Sequence, residues 1–560
     1  MVYYGYSNFD LVLRDVSCLC TDLIRAMTKA EKGIGLCWVS QSSWIPRPSL
    51  SVFLLTICFI LTFKLVGCVS IQENKDVIRR GFLGFDKLVS VHPELTSVAN
   101  IFAGATSDHR QSEERRQQLA LFAEVFGLAQ REYVKALLPE QLIAGALAGV
   151  EKTQIGGPQP EKNSPRKMMA IVLQHMVSDL DAHSNYLTPE DFEQFQVLKR
   201  GEFGGISLDL RRSCFSRRPE VHVARKIAWT NKRGIGMTIE KGLVECIASI
   251  DDTPAQRAGI RSGDLISHVD GEPVFGMTLL QITKKMRGPA GSTIAVSVVR
   301  GIARETLEVR IMREIIPIQA VRARLEGDIG YIQITIFNER TYRSMHNAIA
   351  ELFTKLGGRT SGLIIDLRNN PGGLLDQALK VSDAFLVEGE IVSTIGRRNA
   401  RARRFRADPE DIASGAPMVV LINGGSASAS EIVSGALKDH GRAVVLGDRS
   451  FGKGSLQTVI SLGVGRGALR LTTARYYTPS GKSIQVHGIE PDIVSVDADP
   501  VRREKNLRNS LSAEGQIREG NGVLMEEVCP GVDSDKDPVL SCALHMLRSG
   551  SLSVEIRSLN

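Results

Sequence analysis

Three serines, Ser426, Ser428 and Ser430, stand close together between an apolar run and a stretch with helical periodicity. A serine at a turn from strand to helix benefits from the helix N-terminus, which stabilises negative charge that develops nearby. The backbone N–H of the following residue can donate to the same charge. Since serines also cap helices, this segment by itself fits either a nucleophile or a structural cap.

A lysine, Lys453, follows the next apolar run and has a glycine on each side. The carboxyl ends of parallel strands meet at one edge of an open sheet, which would place Lys453 beside the serine segment. A lysine becomes a general base when desolvation lowers its pKa from ~10.4 toward ~7–8. The alternative is an ordinary solvated lysine in a loop.

A third loop, from Asp366 to Gly373, ends in two glycines and stands between an apolar run and a helical stretch. Backbone N–H groups at the start of a helix form an anion site. Here they would stabilise the oxyanion of a tetrahedral intermediate, at ~3–4 kcal/mol for each good donor. A plain connection between strand and helix is the alternative.

The segments that would position these loops alternate between strand and helix patterns. This alternation predicts a layered, mainly parallel α/β domain. The predicted strands are Ile329–Phe337, Gly362–Leu367, Met418–Ile422 and Ala443–Leu446, and the predicted helices are Thr341–Leu356, Leu374–Phe385 and Ser428–Asp439.

Two glycine-bearing turns mark the region before this domain, TPAQRAGI from Thr253 and SGDLI from Ser262, and VDGEPV comes after them. These residues resemble a PDZ domain, which binds an extended C-terminal peptide as an added strand and holds its carboxylate with backbone N–H groups. The carboxylate loop is expected at one of two glycine pairs, either in Phe203–Leu208 or in the tetrapeptide Gly234, Ile235, Gly236 and Met237. The basic segment 206–233 between them is expected to be an insertion.

The motifs DLRNNPGGLL, NGGSASASEI and SFGKGSLQT occur in this order. Together they resemble the C-terminal processing peptidases, also called tail-specific proteases, over residues 119–205 and 234–500. The resemblance implies a serine endopeptidase with an embedded PDZ domain and a layered α/β core of the crotonase-like type. It also implies that no metal or cofactor is needed, and that the substrates are exported proteins with apolar C-terminal tails.

The same resemblance assigns roles to individual residues. Ser428 would be the nucleophile, Lys453 the general base, and Gln457 the residue that orients the lysine. Glu431 matches a further residue of the site. The implied oxyanion donors are the N–H groups of Ala429 and Gly373, with Gly372 as the alternative to Gly373. In relatives the helical part often mediates dimerisation, so a homodimer is a further expectation.

An apolar run from Leu50 to Ile71 has about the ~20 residues that a membrane-spanning helix needs. Basic residues before a spanning segment favour a cytoplasmic N-terminus and an exported body. The basic residues that precede this run are Arg25, Lys29, Lys32 and Arg47. A cleaved signal sequence is the competing interpretation. Leu65–Cys68 also resembles a bacterial lipobox, which would place a lipid anchor on Cys68. The expected location is the bacterial periplasm, with the chain anchored to the inner membrane.

The expected organisation is therefore a multidomain α+β protein. Residues 1–48 would be a cytoplasmic N-terminus, or would be partly mis-assigned if the true start is Met27. The parts after it would be a membrane anchor or signal segment (49–71), a linker (72–118), a helical region (119–202), a PDZ domain (203–300), a catalytic core (301–500) and a C-terminal extension with a terminal helix (501–560).

Composition argues against other classes of protein. The chain has 69 basic and 62 acidic residues, a net charge of +7, and no basic stripe interleaved with aromatic residues, so nucleic-acid binding is not expected. The nine cysteines have no regular spacing, which indicates neither a disulfide framework nor a zinc site.

Three other functions fit parts of the sequence. Gly447–Lys453 resembles a phosphate-binding loop, but Gly454 stands where a magnesium-binding Ser or Thr is required, and strand-like residues come after it. A Ser–His–Asp hydrolase would need His440, which one connecting helix would hold ~18 Å from Ser428. The third is a PDZ-type peptide-binding adaptor with an impaired protease domain.

Overall fold

A computed structural model gives the fold of most of the chain. It describes residues 84–101, 109–154, 164–206, 208–212, 244–249, 254–261, 264–275, 277, 279–300, 305–358, 360–397, 402–495, 503–515, 522–531 and 537–550. The expected membrane segment 49–71, Cys68 and the tetrapeptide 234–237 lie outside these ranges. Within them, no helix is both long enough and apolar enough to cross a membrane. The described residues divide into two compact units, those up to residue 186 with 457–473 and those of 187–456 with the ones from 474 onward.

The first unit is mainly helical. Its buried core consists of apolar side chains such as Phe122, Phe126 and Leu173, which recur at helical spacing. Part of the segment expected to be a linker, 72–118, is helical instead, because Phe85, Leu95 and Val98 are buried in this same core. Besides a helical stretch at 84–91, the helices of the unit are Pro93–Leu95, Thr96–Asn100, His109–Glu132, Pro139–Gln154 and Pro165–Ser178.

The second unit is built on a seven-stranded sheet, here called the central sheet. Its strands lie in the order Val321–Glu326, Ile329–Ile334, Gly362–Asp366, Met418–Ile422, Val444–Gly447, Ile493–Val494 and Val523–Leu524. The first pair is antiparallel and every later pair is parallel. The predicted parallel α/β arrangement is thus found, with the predicted strands shifted by a few residues at their ends.

Both faces of the central sheet are covered. In the strand Met418–Ile422 all five residues are buried, with Val420 in the apolar cluster on one face and Val419 and Leu421 in the cluster on the other. The first cluster includes residues of the helices Thr341–Lys355, Leu375–Asp383 and Ala429–Asp439. The second includes residues of the C-terminal helices Met525–Val528 and Pro538–Ser549. Burial on both faces explains why these strands are continuous apolar runs.

A second, antiparallel sheet forms the domain that resembles a PDZ domain. Its strands are Leu208–Arg212, Val244–Ser249, Leu265–Val269, Thr293–Arg300 and Glu305–Met312 in this order, with Glu272–Pro273 beside Leu265–Val269. The helices Pro254–Arg257 and Leu279–Met286 accompany it. The sheet extends past residue 300, the expected end of the domain, because Ile311 of the last strand is buried in its core.

The residues expected to start this domain are arranged differently. Glu202–Gly205 pairs antiparallel with Glu314–Pro317, in a separate two-stranded ribbon. The glycines Gly204 and Gly205 are therefore in the ribbon and not in the PDZ-like sheet. Residues 208–212, placed in the insertion by the sequence, are one strand of that sheet.

The remaining elements complete the fold. Thr188 caps the helix Pro189–Arg200 in a capping box with Asp191. Asp537 likewise caps the terminal helix by accepting from the N–H of Leu540. The other strands are Asn185–Leu187, Glu390–Gly396, Arg403–Arg406, Ser455–Ser461 and Ala468–Tyr477, and Glu504–Asn506 is a short 3-10 helix.

Candidate active site

Three loops leave the carboxyl ends of neighbouring central strands, where open α/β sheets place their sites. They are the oxyanion loop (366–373) after Gly362–Asp366, the serine turn (423–429) after Met418–Ile422, and the lysine loop (448–455) after Val444–Gly447. The parallel order of these three strands therefore brings together the three segments that the sequence singles out.

Ser428 occupies a strained position at the start of the helix Ala429–Asp439. Its φ of 54° and ψ of −108° lie outside the regions that non-glycine residues prefer. Such a conformation costs of order 1–3 kcal/mol and persists where the surroundings over-determine it, often at functional sites.

The three competing serines differ in what their hydroxyl groups do. Ser426 Oγ donates to the carbonyl of Leu367 at 2.8 Å, and Ser430 Oγ donates to the carbonyl of Asn370 at 3.0 Å. Both side chains are fully buried, whereas Ser428 is 8% exposed. Ser428 forms a capping box with Glu431, but its Oγ donates to no group in the described part of the chain. Ser426 and Ser430 therefore tie the serine turn to the oxyanion loop, and Ser428 is the serine left for chemistry.

The carboxylate of Glu431 joins the serine turn to the lysine loop. Its Oε2 accepts from the backbone N–H groups of Ser428 at 2.6 Å and Lys453 at 2.9 Å. Its Oε1 accepts from Ser450 Oγ at 2.6 Å and from the N–H of Gly452 at 2.7 Å. Burial raises the pKa of Glu431 to about 7, although the four hydrogen bonds act in the opposite direction. One oxygen thus holds the backbones of Ser428 and Lys453 side by side.

Lys453 lies partly buried between its two glycines. Its Nζ lies 3.4 Å from the carbonyl oxygen of Ser455. The following residue, Gly454, donates its N–H to Gln485 Oε1 and accepts from the N–H of Tyr476, so the chain around Lys453 is held on both sides. A partly desolvated lysine on a fixed loop is the environment that a lysine base requires.

The oxyanion loop places Gly372 directly against Ser428. A Cβ on Gly372, whose φ is +93°, would lie 2.8 Å from Ser428 Cβ and 2.9 Å from the nitrogen of Ala429. The N–H of Gly372 donates to Asn370 Oδ1 at 2.8 Å. The N–H groups of Gly373 and Ala429 donate to no group among the residues that the structure describes. The geometry therefore favours the N–H of Gly373 over that of Gly372 as the second candidate oxyanion donor, besides the N–H of Ala429.

Gln457 belongs to the first unit. Its Nε2 donates to Thr472 Oγ1 at 3.1 Å, and this hydroxyl donates to Asp181 Oδ1 at 3.0 Å. Asp181 also accepts from Ser184 Oγ at 2.6 Å. The chain of hydrogen bonds fixes the Gln457 amide, while its role toward Lys453 stays a prediction.

Sequence reasoning missed several residues that shape the site. Asn370 is fully buried and donates to the carbonyl of Ile334, so its amide sets the path of the oxyanion loop. Ser450 bridges Glu431 and the N–H of Ile489. Asn370 lies in an Asn–Pro–Gly–Gly stretch that signals a specific turn, whereas no local signal identifies Ser450.

The structure also bears on the alternative sites. The residues after Lys453 form the strand Ser455–Ser461 in place of the helix that a phosphate-binding loop requires. His440 stands at the end of the Ser428 helix, and its Nε2 lies 2.7 Å from the carbonyl of Glu390. No cluster of His, Cys, Asp or Glu side chains in the described ranges is arranged to hold a metal ion. Cys529 and Cys542 form a disulfide, a pair that the cysteine spacing does not indicate.

Comparisons with known proteins identify a family, a domain and several relatives. The sequence profile of peptidase family S41 matches residues 328–495, and that of the PDZ domain matches residues 247–300. A carboxy-terminal-processing protease of Bartonella bacilliformis is 40% identical over 415 residues, which are 72% of this chain and 83% of the relative. A carboxyl-terminal-processing protease of Synechocystis sp. is 31% identical over 342 residues, 60% of this chain and 72% of the relative. Among solved structures, the photosystem II D1 C-terminal processing protease is 26% identical, with 72% of this chain and 99% of that chain covered and a TM-score of 0.37.

Proposed function

The chain belongs to peptidase family S41 and is a serine peptidase related to the carboxy-terminal-processing proteases, and from this premise we propose that it cleaves exported proteins near their C-termini. Ser428 is the nucleophile, Lys453 is the general base, and the PDZ domain captures the tail of the substrate. The observation that carries this proposal is the carboxylate of Glu431, which receives the N–H groups of both Ser428 and Lys453.

The reaction proceeds through an acyl-enzyme. Lys453, neutral at the start, takes the proton of Ser428 Oγ as this oxygen bonds to the scissile carbonyl carbon. The N–H groups of Gly373 and Ala429 donate to the oxyanion, and each is worth ~3–4 kcal/mol of transition-state stabilisation. The C–N bond breaks, and the amine leaves with the proton from Lys453. Water then attacks the ester with Lys453 again as base, which releases the new carboxylate and frees Ser428.

Capture of the tail by the PDZ domain is expected from the chemistry of such domains. An extended peptide adds as a strand, and backbone N–H groups hold its terminal carboxylate. The groove beside the helix Leu279–Met286 is the proposed binding surface. Ile282 and Met286 of this helix are buried in the apolar core of the domain and fix the helix on its sheet.

Export of the catalytic body completes the proposal. The apolar run at 49–71 with basic residues before it supports an anchor in the inner membrane of a bacterium, with the body in the periplasm. The disulfide Cys529–Cys542 supports an oxidising compartment. Alkaline extraction of membranes tests this: we expect the full chain to stay in the membrane fraction. Release of a shortened chain would show that the segment is a cleaved signal and not an anchor. Recovery of the chain from the cytoplasm would refute export.

The catalytic assignment is tested with the chain from residue 72 and an unfolded protein substrate that has an apolar C-terminus. We expect Ser428→Ala and Lys453→Ala each to abolish cleavage while the unfolding midpoint stays that of the wild type. Lys482→Ala, at an exposed lysine of the same unit, is the matched control and should cleave normally. Cleavage by either dyad variant at the wild-type rate would refute the assignment, and a wild type that binds tails without cutting them would indicate an adaptor.

A further inference from the structure

The C-terminal segment, residues 503–550, lies beyond the region matched by the S41 profile and takes no part in the chemistry above. It nevertheless belongs to the catalytic unit. Its strand Val523–Leu524 extends the central sheet, and its helix Pro538–Ser549 covers one face of that sheet with Cys542, Met546 and Leu547. Packing alone would require only these apolar side chains, but the segment also carries two buried or half-buried carboxylates that reach catalytic loops.

The first carboxylate is Asp537, at the start of the terminal helix. Its Oδ1 and Oδ2 accept from Arg368 Nη1 at 2.9 Å and Nη2 at 2.8 Å. The same guanidinium donates to Asp366, with Nη2 at 2.7 Å from Oδ2. Burial works to raise the pKa of Asp537, but the hydrogen bonds from Arg368 hold it below its ordinary value. Arg368 is thus clamped in its plane between two carboxylates, a geometry with high directional specificity.

Arg368 is part of the oxyanion loop. Its own N–H donates to Asp366 Oδ1 at 2.9 Å, and Asp366 also accepts from Tyr331 Oη at 2.7 Å. Leu367, the residue before it, accepts from Ser426 Oγ of the serine turn. The clamp therefore fixes the first half of the loop whose second half places Gly372 beside Ser428.

The second carboxylate is Glu504, which is fully buried. Its Oε1 accepts from Gln485 Nε2 at 2.9 Å, and Gln485 Oε1 accepts from the N–H of Gly454, next to Lys453. The backbone N–H of Glu504 donates to the carbonyl of Phe451 in the lysine loop. The C-terminal segment therefore touches the lysine loop as well as the oxyanion loop.

We propose that the C-terminal segment is a working part of the peptidase, in which Asp537 positions the oxyanion loop through Arg368 and Glu504 positions the lysine loop through Gln485. Taking such carboxylates out of water costs free energy that an apolar contact would not cost, which argues that they serve geometry and not only folding. The inference rests on the proposed function of Ser428 and Lys453.

The test is the steady-state cleavage of a fluorogenic peptide by the chain from residue 72. Asp537→Asn keeps a good N-cap for the terminal helix but removes the charge that clamps Arg368. We expect kcat to fall about tenfold or more, as displacements on the order of 1 Å cause, with KM and the unfolding midpoint unchanged. Glu504→Ala should lower kcat likewise, and Glu504→Gln should restore it, because its amide oxygen still accepts from Gln485. Labelling of Ser428 by a fluorophosphonate should slow in parallel with kcat.

Glu527→Gln, at an exposed glutamate of the same segment, is the matched control and should leave kcat unchanged. Wild-type kcat in Asp537→Asn, or a loss of kcat that only accompanies a lowered unfolding midpoint, would overturn the positioning role. Ser428→Ala in the same series separates the two proposals. If it is inactive while Asp537→Asn is fully active, only the positioning role fails, whereas an active Ser428→Ala refutes the proposed function itself.

Discussion

Glu431 is a carboxylate in a fully buried position, where water cannot solvate a charge. Two backbone N–H groups reach one oxygen, and a backbone N–H and the hydroxyl of Ser450 reach the other. Four donors need four lone pairs, which an ionised carboxylate offers and an amide does not. The ionised side chain therefore accepts from all four donors and joins the Ser428 and Lys453 backbones.

Titration of Glu431 should make stability depend on pH. Its pKa of about 7 in the folded chain lies above the ordinary value of 4.5. Between these values the folded chain keeps a proton that the unfolded chain has lost, so the free energy of unfolding falls as pH rises and is lowest above about pH 7. We expect the free energy of unfolding to fall less between about pH 5 and about pH 8 in Glu431→Gln than in the wild type, by an amount on the order of 3 kcal/mol. Denaturant unfolding at the two pH values measures this difference. Glu527→Gln should keep the wild-type slope, and an equal slope in Glu431→Gln would contradict the prediction.

A substitution at Gly372 tests the close packing of this glycine against Ser428. An added Cβ there meets the carbonyl of Ala427 at 2.6 Å and Ser428 Cβ at 2.8 Å, so Ser428 must move. We expect Gly372→Ala to lower kcat about a hundredfold or more, because Ser428 and the proposed oxyanion donors lose their alignment. Gly481→Ala is the matched control, since Gly481 has a similar positive φ of +78° and open space around it. Equal kcat values in the two variants would contradict this prediction, because an added Cβ meets Ser428 at Gly372 and open space at Gly481.

At the scale of elements, short-range patterns in the sequence predict most of the helices and strands around the site. Continuous apolar runs such as Met418–Ile422 identify the strands of a sheet covered on both faces, and Asp537–Pro538 identifies the start of the terminal helix. The partners of these elements depend on side chains far apart in the chain. No local pattern connects Arg368 to Asp537, and none adds the strand Glu305–Met312 to the PDZ sheet.

The disulfide is another contact of this kind, and it ties two C-terminal elements together. Cys529 comes directly after the helix Met525–Val528 and Cys542 lies in the helix Pro538–Ser549, with a sequence separation of 13. Closing a loop of this length restricts the unfolded chain and adds about 3 kcal/mol of stability in the chain-entropy description. We expect Cys529→Ser with Cys542→Ser to lower the free energy of unfolding by about this amount in denaturant titrations. A thiol reductant should lower the free energy of unfolding of the wild type by the same amount and leave that of the double variant unchanged. If the reductant does not change the free energy of unfolding of the wild type, the disulfide has no stabilising role.

At the scale of the whole molecule, the PDZ domain is attached to the catalytic core at both of its ends. The ribbon Glu202–Gly205 with Glu314–Pro317 joins the chain entering the domain to the chain leaving it. Arg340, in the loop before the helix Thr341–Lys355, donates to Glu202 Oε2 at 2.6 Å. The N–H of Glu339 donates to the carbonyl of Lys199 at 2.9 Å. These contacts hold the ribbon at the base of the PDZ domain against the core. In the proposed function, they would give a captured tail a defined starting position.

The proposed capture of the tail by its carboxylate predicts that cleavage depends on the charge of the substrate's C-terminus. Hydrogen bonds to a charged group contribute ~1.5–3 kcal/mol each, and amidation of the C-terminus removes that charge. We expect a protein substrate with an amidated apolar tail to be cleaved with kcat/KM about tenfold or more below that of the free acid, mainly through KM. A short fluorogenic peptide, which fills the cleft without reaching the PDZ domain, should be cleaved equally with either terminus. Equal kcat/KM for the two long substrates would mean that the PDZ domain does not read the carboxylate, whereas a loss confined to the short peptide would place carboxylate recognition in the cleft beside Ser428.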